Sequence, residues 1–325
     1  MGVVAGRPES DALNMKSKLF KLVAFSLFLA QALLASANSQ SPKIYGGAIP
    51  QAGASLSGII WPRADVVFLD SENSLWIQRA CRFGFRREIT VKGIAGQLIG
   101  IDFRPADGQL YGLDDEGNLY TIDTLGNAAP FGSLTVPFGG DFRSLMDFNP
   151  VANALRLIGA NDQNLALVGA DLGQTVAQTQ IVYARGDVNE GANPNLVGGA
   201  YTNNIAGATT TIFYGLDYGL HTLVTIAPPL ANGSSATGGG QLQTIGAPTF
   251  NGRPFKLAPS ADFDIFTVRG INYLIGVNDG QVFTIDLGRL RLPALGQTCN
   301  VPVRALPLPG DGFIDLAIGP LKNCD

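Results

Sequence analysis

The sequence predicts an all-β chain closed into a β-propeller of about five four-stranded antiparallel blades. Three observations carry that prediction. An ordered frame recurs with a period near 45 residues: apolar-Asp-Phe-(Arg/Asn)-Pro, a short turn, an apolar strand, a polar turn, and a second apolar strand. The turns inside the copies are rich in Asp, Asn and Gly, which tolerate the positive φ of tight hairpins. No amphipathic helical stretch of useful length follows residue 38. Repeats of this size that hold several short strands are the signature of propeller blades.

Each element follows in chain order. Residues 66–77, VVFLDSENSLWI, form the first hairpin. Residues 98–123, LIGIDFRPADGQLYGLDDEGNLYTID, supply an inner strand and a hairpin, and Gly132-Ser133-Leu134 a short outer strand. Residues 144–167, SLMDFNPVANALRLIGANDQNLAL, repeat the frame, with Asp102 and Asp147, Pro105 and Pro150, and Leu110 and Leu155 each 45 apart. Residues 212–226, IFYGLDYGLHTLVTI, and 274–286, LIGVNDGQVFTID, are further copies. Leu75, Leu119, Leu165, Leu223 and Val282 anchor the second hairpin strands, at spacings of 44, 46, 58 and 59. Five anchors give five blades, and the two longer spacings leave room for extra strands or a sixth blade.

The first copy lacks an inner strand before it. The last segment, residues 313–318, is an inner strand with no hairpin after it. Together they complete one blade from opposite ends of the chain and lock the ring. Closure matters because one blade cannot bury both faces alone, and a ring leaves only short edges. A β-sandwich or β-solenoid is the competing all-β arrangement.

The run GIDFRPADGQLYGLDDEGNLYTID, then DFNPVANALRLIGANDQNLAL, then AYTNN before a Thr-rich stretch, resembles the domain-of-unknown-function family 4394. The resemblance spans roughly residues 55–320. It implies an exported, propeller-like protein with no assigned activity, and it brings no catalytic residues with it.

The N-terminus reads as an address. Lys16, Lys18 and Lys21 form a positive region, residues 22–34 a mainly apolar stretch, and Ala35-Ser36-Ala37 a small-x-small cleavage pattern. That is the anatomy of a secretory signal peptide. The apolar stretch is shorter than the about 20 residues a spanning helix needs. The domain reading is therefore an over-extended start at 1–14, a signal peptide at 15–37, a lead-in at 38–60, one propeller at 61–321, and a tail at 322–325. The expected location is extracellular, secreted or at the cell surface, with no membrane span. Oxidising export permits a Cys299–Cys324 disulfide, with Cys81 left over, and the other pairings are equally allowed by the sequence. Asn232, in Asn232-Gly233-Ser234, is the glycosylation candidate.

Composition narrows the chemistry. The chain has 325 residues, a net charge of −4 and only 15% charged residues. An acidic balance, with a pI near 5.1, argues against nucleic acid as the main partner. A single histidine, His221, and three cysteines exclude multi-histidine metal centres and cysteine-rich scaffolds. No Gly-x-Ser-x-Gly elbow, Walker loop or dinucleotide glycine fingerprint occurs. Asp114-Asp115-Glu116 reads as a solvated turn, and Arg79, Arg82, Arg86 and Arg87 as a charged edge strand.

The inner-strand aspartates are the main site candidates: Asp102, Asp147, Asp264 and Asp315, with Tyr201 aligned in the remaining copy; Asp262, which precedes a Phe as Asp102 does, competes with Asp264 for its place. If the inner strands line a channel, these side chains converge. Their plainest role is to accept backbone N–H groups in the next turn. Clustered carboxylates also suit Ca²⁺, or an acid–base pair if crowding splits their pKa values. Arg104, Asn149 and Asn203 follow the inner strands and fall in loops at one rim, where function concentrates. No cofactor is required, and Ca²⁺ is the one these residues would suit. The reading is a binding or scaffold module for an extracellular ligand or protein. The alternative is a cation-assisted hydrolase or lyase acting on a glycan or lactone.

Overall fold

The structure is a computed structural model; it describes residues 61–80, 86–226, 235, 238–307 and 312–323. The signal-peptide reading, Asn232, Cys81, Arg82 and Cys324 lie outside the described residues.

The chain forms five sheets. It begins with β1 (Val66–Asp70), β2 (Ser74–Gln78) and β3 (Arg86–Thr90). Blade II is β4 (Leu98–Phe103), β5 (Leu110–Asp114), β6 (Asn118–Ile122) and β7 (Ala128–Ser133). Blade III is β8 (Leu145–Asn149), β9 (Ala154–Ile158), β10 (Asn164–Val168) and β11 (Gln174–Ala177). A short β12 (Val182–Tyr183) precedes blade IV: β13 (Leu196–Tyr201), β14 (Phe213–Asp217), β15 (Thr222–Ile226) and β16 (Gln241–Gly246). The pair β17 (Pro248–Phe250) and β18 (Arg253–Pro254) precedes blade V: β19 (Asp262–Val268), β20 (Ile271–Asn278), β21 (Gln281–Asp286) and β22 (Val301–Pro307). The final strand, β23 (Phe313–Ile318), returns to pair antiparallel with β1 and completes blade I.

The inner strands β4, β8, β13, β19 and β23 touch one another in that cyclic order, and β23 touches β4. The ring is thus five-bladed and closed by both ends of the described chain. All five hairpin anchors lie on the second hairpin strand of their blade. The longer spacings do not build a sixth blade. Their extra residues form β12, which pairs parallel with β16, and β17–β18, which extend the sheet beyond β22.

The apolar core divides into five clusters, one for each seam between blades. Leu145, Ile158, Leu196 and Phe213 pack between blades III and IV. Phe68, Phe266, Ile275 and Phe313 pack between V and I. Each such side chain, taken fully from water, contributes about 1.5–3 kcal/mol. Ring closure therefore follows from burying the second face of every sheet.

A second aspartate recurs at the end of the middle strand. Asp70, Asp114 and Asp217 each close the hairpin turn that follows. Asp70 Oδ1 accepts the Ser74 N–H at 2.8 Å, Asp114 Oδ1 the Asn118 N–H at 2.7 Å, and Asp217 Oδ1 the Leu220 N–H at 3.0 Å. The other oxygen takes an aromatic donor: Trp76 Nε1, the Tyr120 hydroxyl, or the Tyr183 hydroxyl. Asp114 is thus buried, at 1% exposure, and not part of a solvated turn. Cys299 carries a free, half-buried thiol, so the structure does not form the Cys299–Cys324 staple. Ring closure is held instead by the β1–β23 ladder.

Candidate functional site

The middle-strand motifs Leu110-Tyr111-Gly112-Leu113-Asp114, Phe213-Tyr214-Gly215-Leu216-Asp217 and Leu274-Ile275-Gly276-Val277-Asn278 align residue for residue. They set the register of the inner strands. Asp102 lies opposite Tyr111, Asp147 opposite Arg156, and Asp264 opposite Ile275. The matching residues in blades IV and I are Ala200, opposite Tyr214, and Ala317, opposite Val67. Two residues upstream, on the same strand face, a second layer holds Asp262, opposite Val277, and Asp315, opposite Leu69. Gly100, Leu145 and Gly198 fill that layer in the other blades.

Five carboxylates therefore share the channel wall, and each bonds to the neighbouring blade. Asp102 Oδ2 accepts the Phe148 N–H at 2.7 Å, Asp147 Oδ1 the Tyr201 N–H at 3.0 Å, and Asp264 Oδ2 the Ile318 N–H at 2.7 Å. Asp262 Oδ2 accepts the Leu316 N–H at 3.2 Å, and Asp315 Oδ2 the Ile101 N–H at 2.5 Å. One rule covers all five. The donor is the residue just after the equivalent ring position in the next blade. The clasp satisfies an inner-edge N–H that would otherwise be buried without a partner.

The IV–V seam has no carboxylate, because blade IV carries Ala200 and Gly198. There β13 lies close to β19: a Cβ on Gly198 would stand 2.9 Å from the Asp262 Cα. Asn203 and Asn272 bridge this seam reciprocally. The Asn203 N–H donates to Asn272 Oδ1 at 3.0 Å, and Asn272 Nδ2 donates to Asn203 Oδ1 at 3.1 Å.

Burial pushes every one of these carboxyls above the usual range. Asp102 and Asp147 are raised first by burial and then by the neighbouring carboxylates, despite the N–H bonds they accept. Burial takes Asp264 to about 7 and Asp262 to about 6. Asp315 is raised by burial and by the charge of Asp262, with which its carboxyl shares a hydrogen bond. Oxygens of Asp102, Asp147 and Asp264 lie within 4.8 Å of one another. Such a cluster holds protons near neutrality, since buried like charges this close do not all ionise.

The register separates the candidates read from sequence. Asp102, Asp147 and Asp264 meet in one layer, and Asp315 stands in the layer above. Tyr201 is one residue past its supposed place. Its backbone N–H is the clasp donor to Asp147, while its ring packs against Phe213 at 5.3 Å, with the Arg156 guanidinium 5.8 Å from the ring centre. The rim residues stay apart from this cluster. Arg104 is 5% exposed and holds Asn153 Oδ1 at 2.9 Å, the Ala170 carbonyl at 3.0 Å and Asp107 at 3.5 Å. Asn149 Oδ1 accepts the N–H groups of Val151 and Ala152. Asn203 also donates to the Thr210 carbonyl at 2.8 Å.

Asp262 enters the sequence reading only as a rival to Asp264 for one aligned place, and Arg156 does not enter it. The spacing of Asp262-Phe263-Asp264 was the signal for the first, since residues two apart on a strand share a face. A lone arginine in the apolar run Ala154-Leu155-Arg156-Leu157-Ile158 was the signal for the second. Arg156 is 4% exposed and joins blades III and IV, donating to the Gly239 carbonyl at 3.0 Å and to Gln178 Oε1 at 3.2 Å.

The family model described as "Domain of unknown function (DUF4394)" matches residues 80–306. No curated protein matches the chain. Solved structures of similar shape include the major Malassezia sympodialis allergen Mala s 1, at 10% identity and a TM-score of 0.42, covering 76% of this chain and 78% of that one. Another is a catalytically inactive virginiamycin B lyase from Staphylococcus aureus with quinupristin, at 12% identity and a TM-score of 0.38, covering 74% and 69%. At these identities and scores neither likeness speaks to function. Among the described residues no helix is long and apolar enough to cross a membrane.

Proposed function

The chain belongs to the DUF4394 family, and from that premise we propose that it is an exported β-propeller working as a binding or scaffold module. The observation that carries the reading is the occupation of the channel carboxylates. The carboxylate cluster of the inner strands, the one such group among the described residues, accepts backbone N–H bonds from neighbouring blades. Groups held in that way fix blade order: both oxygens of Asp102 already accept N–H groups, from Phe103 and Phe148, and both of Asp264 from Ile265 and Ile318. Binding then falls to loops on the rims, which a rigid ring presents without paying much ordering entropy.

Two experiments test this. A reporter fused behind residues 15–37 enters the medium if export is right and stays inside the cell if it is wrong. The 38–325 chain, probed on glycan and peptide arrays, retains a ligand that mass spectrometry recovers unchanged. A converted ligand would establish the hydrolase or lyase alternative, and a silent array would sink the module reading.

Ca²⁺ is the second reading, favoured by the 4.8 Å grouping of Asp102, Asp147 and Asp264 oxygens. Two Ca–O bonds of about 2.3–2.6 Å span that distance. Three protein oxygens are fewer than the six to eight that Ca²⁺ takes. Melts in EDTA and in added Ca²⁺ decide it. An upward shift with Ca²⁺, absent in Asp102→Asn/Asp147→Asn, establishes an ion site. Identical melts leave protons as the occupants.

A further inference from the structure

The two extra strands of blade V and the chain leading from them to β19 wall an open cleft of about 900 Å³. These residues belong to the insertion that lengthens the repeat to 59 residues. The blade does not need them for its own four-stranded sheet, so their placement calls for another explanation.

Residues 255–261 contain no strand or helix, yet their backbone is held fast. The Phe255 N–H donates to the Pro248 carbonyl at 2.9 Å, and the Leu257 N–H to His221 Nδ1 at 3.2 Å. Asn278 clamps the same segment from the facing turn, accepting the Ala258 N–H at 2.7 Å and donating to the Lys256 carbonyl at 3.0 Å. The Phe255 ring anchors on Phe283 at 5.4 Å in the core. The cleft is therefore preorganised, and a ligand meets a wall already ordered. Its volume lies within the range of ligand pockets, about 300–1,000 Å³.

The lining chemistry defines the ligand. Arg253 and Lys256 are exposed and form no ion pair among the described residues, two free cations on an acidic chain. They match a carboxylate. Phe250 is half-buried, and its remaining surface offers an apolar platform. Asn251 and Gln281 supply amides, and Asp279 a carboxylate that accepts hydroxyl donors. A cation pair, an apolar face and hydroxyl-binding groups together describe an acidic sugar.

We propose that this blade V cleft binds a carboxylate-bearing saccharide, the uronate on Arg253 and Lys256 and a sugar face on Phe250. The proposal rests on the binding-module reading and gives it a location and a ligand class. Titration calorimetry with trigalacturonate tests it, with neutral galactotriose and inorganic phosphate as comparison probes. Wild-type protein binds trigalacturonate in preference to galactotriose, and added salt weakens the complex because exposed charges are screened. Arg253→Ala/Lys256→Ala, two exposed positions, lowers affinity at least tenfold with an unchanged melting curve. Arg289→Ala, outside the cleft, leaves affinity unchanged. No binding of trigalacturonate at millimolar concentration overturns the proposal. So does phosphate binding without uronate binding. Uronate binding that survives the double substitution overturns the cleft assignment while leaving the module reading standing; only the silent array removes both.

Discussion

Raising the pH should loosen this propeller over a range where most proteins hold steady. The cause is the channel. Asp264 sits at about 7 and Asp262 at about 6 in the folded ring, against 3.8 for the free side chain. The sign follows from those directions. A carboxyl raised on folding is protonated in the folded chain and ionised in the unfolded one between the two pKa values. Its stabilisation is complete below about pH 4 and is lost as pH rises through 6 to 7. Each carboxyl in that condition contributes a slope of about 1.4 kcal/mol per pH unit. For Asp262, a shift of about two units amounts to about 3 kcal/mol. Asp162 adds in the same direction, raised to about 6 by burial and by the charge of Asp217. Asp65, lowered by Lys322 and the Ala80 N–H against the opposing effect of burial, acts in the opposite sense, and only below about pH 4. Urea unfolding at pH 4.5, 6 and 7.5, at fixed ionic strength and in EDTA, measures the slope. Asp264→Asn keeps an acceptor oxygen but cannot ionise, so it should flatten the curve by about 1.4 kcal/mol per pH unit between pH 5 and 7. Stability that is flat or rising from pH 4.5 to 7.5 would refute the reasoning, as would an Asp264→Asn slope equal to wild type.

Two further outcomes follow from the ring. Truncation before Phe313 removes β23, which takes part in three of the five aspartate clasps through Asp315, Leu316 and Ile318; cooperative unfolding by circular dichroism should disappear, and a retained sharp transition would show that the clasps are dispensable. A methyl on Gly246 would overlap the Cys299 carbonyl, in the residue whose N–H donates to the Ile245 carbonyl; Gly246→Ala should cost about 1–3 kcal/mol in urea unfolding, whereas Gly252→Ser, open around its Cβ, should lose less despite its positive φ.

Much of this architecture is legible in the residues. The hairpin anchors and the split blade are carried by turn chemistry and apolar alternation, both local signals that tertiary contacts do not override here. The channel is harder to read. A strand repeats every two residues, so Asp262 and Asp264 present the same face, and only ladder partners separate one layer from the next. The same ambiguity hides Ala200 behind Tyr201, because an aromatic beside a small residue looks like the conspicuous member of an aligned column. Asp114 resembles its neighbours Asp115 and Glu116 in charge. Its burial depends on Tyr120 reaching back across the turn. The insertion before blade V carries no repeat signal, so the cleft it builds is visible only once β17 is seen to pair with β22.

The central claim is that inner-strand aspartates hold the blades together by accepting backbone N–H bonds. NMR-detected amide exchange in Asp147→Ala and Asp147→Asn tests it most directly. Tyr201 should lose protection in the alanine variant, by about 10- to 100-fold for a lost buried acceptor of about 1–3 kcal/mol. Phe148, held by Asp102, should exchange as before, and the asparagine variant should keep most of Tyr201's protection. Unchanged exchange at Tyr201 in Asp147→Ala would contradict the account.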